Sequence, residues 1–330
     1  MATDGSTARV VPLTCHGHSR PVTHLNFSSV VDGDQYYLIS ACKDNNPMLR
    51  DGITGDWIGT FLGHKGAAWS SRLSSDATLA ASGSADFTAK IWDPQTGECL
   101  HTLQHDHIVK AVAFPIQNKP EVVATGGFEK KLRIFDLSRP TSETNGSTPK
   151  TPSTSTSTTN GSGTPVQGFE IGAGEHAGSI KSIVWNVDYN IITTAADDKT
   201  IRWFDLRQQA PIATVKTESE ITSCELSTTQ VDGTDAGIIT VAAGHSALFF
   251  DAAKPGVLAK QVNFDHEISA AAINPAGGTF VTGGRYDNWA RVWDFATEKE
   301  LGESIPLAFL IHRYHLGRFF THRRPPESLT

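Results

Sequence analysis

Short apolar stretches alternate with turn-forming residues along most of the chain. Segments such as "EVVATGG", "LRIFDL" and "GIITVAAG" are rich in the β-branched and aromatic residues that favour strands, and Gly, Pro, Asn, Asp and Ser separate them. The pattern predicts β-strands throughout and negligible helix.

The stretches form a repeat that closes on aspartate, usually after Trp or Phe. The six closing residues are Asp51, Asp93, Asp136, Asp205, Asp251 and Asp294, at intervals of 42, 43, 69, 46 and 43 residues. A period near 43 with this ending is typical of the four-stranded blade of a WD-repeat β-propeller. The sequence therefore predicts an all-β WD-repeat propeller, spanning residues 10–304, with six recognisable blades.

Other positions keep a fixed distance from the closing aspartates. A Ser or Thr comes eleven residues earlier in five repeats, an acidic residue comes seven earlier in five, and a histidine opens several of them. Resemblance to WD-repeat proteins implies a hydrogen-bonded structural network formed by His18, Asp44, Ser40, His64, Asp86, Ser82, Trp92, His176, Asp198, Thr194, Asp287 and Trp293. A histidine between an aspartate and a hydroxyl resembles a catalytic triad, but an enzyme needs one such triad and this one recurs.

The interval of 69 residues contains a segment of different composition. Residues 141–165 include no apolar side chain and 15 Ser or Thr, and removing them leaves an interval of 44. Such a segment cannot bury enough surface to offset its ordering entropy. We expect a disordered insert between the third and fourth blades.

Charge and cysteine content narrow the function classes. The formal net charge is −7, and residues 305–330 are basic, so the remainder is more acidic still. This argues against broad nucleic-acid binding, which needs a basic surface. The four cysteines are scattered and no apolar run approaches membrane-spanning length, so we expect buried thiols in a reducing compartment and an intracellular protein. We expect the cytoplasm as its location, with the nucleus as a second site. No metal, cofactor or small-molecule substrate is expected.

Several segments are more specific than the repeat. "PLTCHGHSRPV", "ACKDNNPMLRDGITGDWIGTFLGHKGAAW" and "GSADFTAKIWD" closely resemble the serine/threonine kinase receptor-associated (unr-interacting) family of WD-repeat proteins. The resemblance implies a non-enzymatic scaffold, an adaptor of the survival of motor neuron complex in small nuclear ribonucleoprotein assembly, mRNA processing and splicing. Two alternatives stay open: a propeller like the i subunit of translation initiation factor three, and a propeller that contacts RNA.

Resemblance to other WD-repeat proteins also implies which residues bind partners. The residues that follow the repeat histidine by three or five, or precede the turn aspartate, lie on the narrow face of such propellers. In this chain they include Lys43, Trp69, Lys110, Phe128, Lys181, Asp197 and Tyr286. Aromatic side chains among lysines suit a protein-binding surface.

The residues after the sixth repeat depart from the family pattern. Family members have seven blades, but 305–330 form an atypical basic tail without the Gly-His opening or the Trp-Asp ending. We expect the seventh blade to be missing or aberrant, "PLAFLI" to offer at most a makeshift strand, and the first and sixth blades to expose apolar faces.

Overall fold

Six antiparallel sheets make up the regular structure of the residues that the structure describes. The computed structural model describes residues 15–31, 33–140, 158–159, 165–231, 234–274, 276, 278–286, 289–301 and 305–306. Within them the sheets follow one another along the chain as the blades of a β-propeller, which confirms the predicted all-β fold. Within the same residues, no helix has the length and apolar character that a membrane crossing requires.

The first three blades cover the first half of the chain. Their strands are β1 (Val22–Phe27), β2 (Tyr37–Cys42), β3 (Met48–Asp51) and β4 (Trp57–Thr60); β5 (Ala68–Leu73), β6 (Ala80–Ser84), β7 (Thr88–Trp92) and β8 (Cys99–Gln104); and β9 (Val109–Ala113), β10 (Val122–Gly127), β11 (Leu132–Pro140), β12 (Thr158–Thr159) and β13 (Pro165–Ile171).

The other three blades have four strands each. They are β14 (Ile180–Trp185), β15 (Ile191–Ala196), β16 (Thr200–Asp205) and β17 (Ala210–Lys216); β18 (Ile221–Val231), β19 (Thr234–Ala243), β20 (Ser246–Asp251) and β21 (Leu258–Asn263); and β22 (Ile268–Asn274), β23 (Thr279–Gly284), β24 (Trp289–Asp294) and β25 (Ile305–Pro306).

The insert lies inside the third blade, so its predicted position between blades was wrong. β11 and β13 flank it and pair directly, with Ile134 opposite Phe169, so both belong to one sheet. The closing aspartate of a repeat lies on the third strand of its blade or directly after it, and the insert after Asp136 therefore precedes the outer strand. Thr158 and Thr159 add a short fifth strand, β12, and residues 141–157 and 160–164 lie outside the described residues.

The hydrophobic core is divided into layers between successive blades. Five clusters of buried side chains each draw on two neighbouring sheets, from the first and second to the fifth and sixth. Between the first two blades, Ile39 and Leu49 meet Leu73 and Trp92. Strand residues alternate between two faces, so each blade presents one apolar face to each neighbour.

The first blade has a face turned away from the second blade, and the sixth blade has a face turned away from the fifth. Apolar residues on these two faces are less exposed than expected. Phe27, Tyr36 and Leu38 form one small buried cluster, and Val281 and Ala290 form another. Phe27 and Tyr36 pack on each other with ring centroids 6.1 Å apart, and the Gly52 backbone lies so close to the Tyr36 ring that no side chain would fit. The expected exposure was therefore wrong for these residues.

The tail contributes one short pairing to the sixth blade. β25 lies beside β24, with Ile305 opposite Ala290 and Pro306 opposite Trp289. The rest of the "PLAFLI" segment and the remaining tail, 307–330, lie outside the described residues, as does the N-terminal segment 1–14.

Candidate protein-binding face

The second blade contains a four-residue hydrogen-bond network at its turn. His64 Nδ1 lies 2.9 Å from Asp86 Oδ2, and Nε2 lies 2.7 Å from the Ser82 hydroxyl oxygen. The Trp92 indole N–H donates to the same oxygen at 2.8 Å. Burial acts to raise the pKa of Asp86, but hydrogen bonds from His64 and Thr88 outweigh it and hold the pKa well below its ordinary value. The ionised Asp86 thus ties the loop before β5 to the β6–β7 turn.

The first blade has the same arrangement without the tryptophan. His18 Nδ1 lies 2.9 Å from Asp44 Oδ2 and Nε2 lies 2.7 Å from the Ser40 oxygen. Together with Cys42, His18 and Asp44 place three metal-ligand atoms within 4.8 Å of one another. All three atoms already have hydrogen bonds, since the Cys42 thiol donates to the Arg20 carbonyl at 2.9 Å. The cluster is accounted for as a turn network.

The fourth blade differs from the prediction because an arginine enters its network. Thr194 Oγ1 lies 3.2 Å from His176 Nε2, but Asp198 does not bond the histidine in the described structure. Arg202 Nη1 lies 3.1 Å from His176 Nδ1 and donates to Asp198 Oδ2 at 2.9 Å, so it stands between them. Burial, helped by the Arg202 charge, lowers the pKa of His176 to about 4. The expected direct bond between His176 and Asp198 was wrong.

The arginine carries a sequence signal that the repeat analysis missed. It lies three residues before the closing aspartate, as Arg133 and Arg291 do in the third and sixth repeats. Arg133 lies 2.6 Å from Glu129, the acidic turn residue of its repeat, and Arg291 lies 3.4 Å from the ring of His266. In these blades a cation takes part in a network that the repeat pattern alone assigns to His and Asp.

The sixth blade is described in part. The Trp293 indole N–H donates to the Thr282 hydroxyl at 2.9 Å, which matches the Trp92–Ser82 bond of the second blade. Asp287, predicted as its turn aspartate, lies outside the described residues.

The sheet order places one set of loops at one end of the propeller. In an antiparallel meander, the loop between the second and third strands and the loop leading to the next blade lie at the same end of the sheet. Residues at this end form what we call the turn face. It includes the seven predicted partner-binding residues, Lys43, Trp69, Lys110, Phe128, Lys181, Asp197 and Tyr286.

A β-bulge at the start of the innermost strands turns three of these side chains out of the ladder. The pairing register shifts between Ala68 and Ser70 and between Ile180 and Ser182, which leaves Trp69 and Lys181 as the extra residues. In the third blade Gly126 pairs with Ala111 and the next residue, Gly127, pairs with Val109, so Lys110 is the extra residue there. Bulges re-aim side chains and locally interrupt pairing.

On blades one to three the turn face combines cations with aromatic rings. Lys43 Nζ and Lys110 Nζ each lie 5.5 Å from the centre of the Trp69 ring, and Lys110 Nζ lies 4.5 Å from the Phe128 ring. His107 stacks on Phe128 with ring centroids 5.0 Å apart. The Phe87 ring centroid lies 5.3 Å from that of His107, with the two planes tilted by 40°. We call Lys43, Trp69, Phe87, His107, Lys110 and Phe128 the cation–aromatic cluster.

On blades four to six the turn face is a network of paired charges. Lys181 lies 2.8 Å from Asp197 and also bonds Glu220. Arg285 lies 3.5 Å from Glu220 and 3.3 Å from Glu267. Burial acts to lower the pKa of Lys181, but its two carboxylate partners raise the pKa overall. This half satisfies its own charges, although Tyr286 stands 76% exposed beside Arg285.

Ionised side chains also meet in the central channel. Glu225 on β18 accepts a hydrogen bond from Arg72 Nη2 at 2.8 Å and lies 3.2 Å from His24 Nε2. Burial acts to raise the pKa of Glu225, but Arg72 and His24 outweigh it and lower the pKa to about 2. The cluster links blades one, two and five across the channel, and the sequence analysis did not anticipate it.

The chain is similar to known proteins along most of its length. The family model of the WD domain, G-beta repeat, matches residues 55–93, 164–205 and 259–294. The serine-threonine kinase receptor-associated protein of Gallus gallus is 39% identical over 293 residues, covering 89% of this chain and 73% of the relative. The protein of that name from Dictyostelium discoideum is 38% identical over 88% of this chain and 86% of its own length.

The chain belongs to the serine-threonine kinase receptor-associated protein family. The family resemblance expected from the sequence is thereby confirmed. A more distant similarity, 26% identity over 86% of this chain and 96% of the relative, connects it to subunit I of eukaryotic translation initiation factor 3 from Danio rerio.

Two members of the cation–aromatic cluster, Phe87 and His107, were not among the partner-binding residues predicted from the sequence. Phe87 directly follows the turn aspartate of the second repeat, where Lys follows it in the fourth, and His107 comes two residues after the repeat histidine of the third. An aromatic ring directly after a turn aspartate was therefore the available signal. For His107, the contacts with Phe87 and Phe128 became visible only in the tertiary structure.

Proposed function

We propose that this chain is a non-enzymatic protein-interaction scaffold that binds its partners through the turn face. The observation that carries the proposal is the cation–aromatic cluster, in which Phe87 and Phe128 are 41% and 40% exposed. Exposed aromatic residues, Phe and Trp among them, are enriched in protein interfaces. The family similarity supports the same class of function.

The triad-like residues of the second blade suit a structural role better than a catalytic one. Ser82 and its backbone are fully buried, and its hydroxyl oxygen already meets both His64 and Trp92. A nucleophile needs a path to substrate and a hydroxyl free to attack.

As the specific role, we propose an adaptor of the survival of motor neuron complex, acting in small nuclear ribonucleoprotein assembly and mRNA processing. Support comes from the resemblance in the first two repeats and from the similarity to serine-threonine kinase receptor-associated proteins. We propose the cytoplasm as its place of action, with the nucleus as a second compartment. The second candidate is a role like that of translation initiation factor 3 subunit I, which the similarity along most of that protein favours.

Affinity purification from cells of the source organism distinguishes these roles. The full chain, Trp69→Ala, Lys110→Glu and Lys254→Glu would be captured in parallel and their bound proteins identified. Recovery of Sm and survival-of-motor-neuron components supports the leading role, recovery of initiation-factor subunits supports the second candidate, and recovery of RNA without protein contradicts both.

The variants test the face itself. Trp69→Ala and Lys110→Glu should lose most of the captured protein while their melting temperatures stay within about 2 °C of the parent. Lys254 lies in the turn between β20 and β21, at the opposite end of the sheets, so Lys254→Glu provides a matched charge change that should retain capture. Unchanged capture by the first two variants would show that another face binds.

A further inference from the structure

We infer that the cation–aromatic cluster binds an acidic peptide segment that carries an apolar or aromatic side chain between its carboxylates. The inference rests on the proposed scaffold function and assigns a ligand class to part of its face. The two halves of the turn face differ in how their charges are paired.

The cationic charges of the cluster have no carboxylate partner in the described structure. Lys181 and Arg285 each contact two carboxylates, whereas the ion pairs of the described residues include neither Lys43 nor Lys110. Both lysines instead stand over Trp69, and Lys110 also stands over Phe128. An aromatic face attracts a cation but does not neutralise it. The cluster therefore complements negative charge supplied from outside.

The backbone at Phe87 is a second and independent observation. Phe87 has φ +66°, and the equivalent turn positions are Asn45, Lys130 and Lys199 with φ 76°, 62° and 60°. Asn adopts this left-handed region readily, but a bulky aromatic residue there is strained. The turn nevertheless keeps this exposed ring 5.3 Å from the His107 ring, measured between centroids. Strain retained at an exposed aromatic residue points to binding.

The aromatic rings of the cluster give the ligand an apolar contact beside the charges. Phe87 packs on His107 with the ring planes tilted by 40°, and His107 stacks on Phe128. Lys110 lies over both Phe128 and Trp69. Aromatic rings provide large contact area at low conformational-entropy cost. A ligand with an apolar side chain on these rings and carboxylates beside Lys43 and Lys110 would match both the apolar and the cationic parts of the cluster.

The surrounding charges favour a peptide over nucleic acid. Asp197 and Glu220 lie close enough to Lys110 to act on its charge, and the Asp106 side chain is 75% exposed beside His107. A nucleic-acid strand carries a charge at every phosphate and needs a positive groove along its path. A peptide can place a few carboxylates over the two lysines and avoid the acidic side chains.

Fluorescence anisotropy with a defined probe tests the ligand class. The probe is a fluorescein-labelled peptide with Asp-Glu-Phe-Asp-Glu between Gly-Ser ends. Three labelled comparators are used: the peptide with every Asp and Glu replaced by Asn and Gln, the peptide with Phe replaced by Ala, and a uridylate 12-mer. We expect the full chain to bind the acidic peptide at least tenfold more tightly than each comparator, and more weakly as salt rises. Equal binding of the amide peptide, or tighter binding of uridylate, would overturn the inference.

Two variants separate binding from folding. Burial lowers the pKa of Lys110, so replacing its charge with an apolar chain in Lys110→Met should not destabilise the protein, yet should weaken probe binding at least tenfold. Phe87→Asn removes the ring and copies the residue of the first blade, so it should weaken binding while the melting temperature holds or rises. Lys254→Met is the matched control and should bind as the parent does.

The outcomes distinguish this inference from the scaffold proposal. If Lys110→Met binds the probe as well as the parent does, the ligand class is wrong. If it loses the probe but still captures the cellular partners, peptide binding stands and the partners use another part of the face. If the parent captures no cellular protein but binds the probe with the expected pattern, the ligand class stands and the proposed function fails.

Discussion

Glu225→Gln should destabilise the propeller by removing the charge that joins three blades across the channel. In the parent, Glu225 contacts Arg72 and His24 with each of the three side chains about one-fifth exposed or less. Its pKa of about 2, against an ordinary value of 4.5, corresponds to roughly 3 kcal/mol favouring the ionised form. Partial solvation reduces this, so we expect a loss of about 2 kcal/mol and a melting temperature lower by roughly 4 °C.

The pH dependence of the unfolding free energy provides a second test of this prediction. Because the folded protein lowers the pKa of Glu225, the carboxylate contributes fully above about pH 4.5 and its contribution is lost as pH falls toward 2. The difference in unfolding free energy between parent and variant should therefore shrink by about 1 kcal/mol at pH 4.

Urea unfolding followed by tryptophan fluorescence, with calorimetry at pH 7 and pH 4, provides the measurement. Glu170→Gln is the matched control, because Glu170 pairs with Lys131 at 3.4 Å on the propeller surface, where such pairs contribute little. A Glu225→Gln variant within about 0.5 kcal/mol of the parent, or no more affected than Glu170→Gln, would refute the reasoning.

Two further predictions concern the turn networks. Ser82→Ala leaves His64 and the Trp92 indole N–H without their shared buried partner, so unfolding free energy should fall by about 2–4 kcal/mol; a smaller loss than about 1 kcal/mol in chemical denaturation would contradict the network's role. The pKa of His176 is lowered to about 4 in the folded protein, so as pH falls from 7 to 5 this histidine takes up a proton in the unfolded chain but stays neutral in the folded one. The free energy of unfolding should therefore fall by about 2 kcal/mol over this range. Arg202→Met removes the neighbouring charge, so the loss of stability between pH 7 and pH 5, measured from melting curves, should be smaller in this variant. An unchanged loss would show that burial alone lowers the pKa of His176.

The repeat in the sequence was sufficient for the fold but not for every turn. The second repeat carries His64, Asp86, Ser82 and Trp92 at the expected spacings, and the structure places them within hydrogen-bonding distance. The fourth repeat has the corresponding residues, yet Arg202 displaces the direct bond between His and Asp. A repeat pattern specifies which side chains share a turn, whereas competition among several donors depends on their three-dimensional positions.

The insert illustrates a different limit. Its composition set the segment apart from the repeats, but the sequence repeat and the structural blade are offset by one strand. Counting from one closing aspartate to the next therefore assigned the segment to a boundary between blades, although β11 and β13 pair across it.

The sequence by itself determined the all-β repeat architecture, the number of recognisable blades and most of the residues at the turns, because these follow from local periodicity and fixed spacing. Only the tertiary structure decided which side chains meet across blades. His24 and Glu225 are 201 positions apart, and Phe87, His107 and Phe128 come from different loops. Such contacts depend on how neighbouring sheets pack and on the bulges that turn side chains out of the ladder, and neither leaves a periodic signal in the chain.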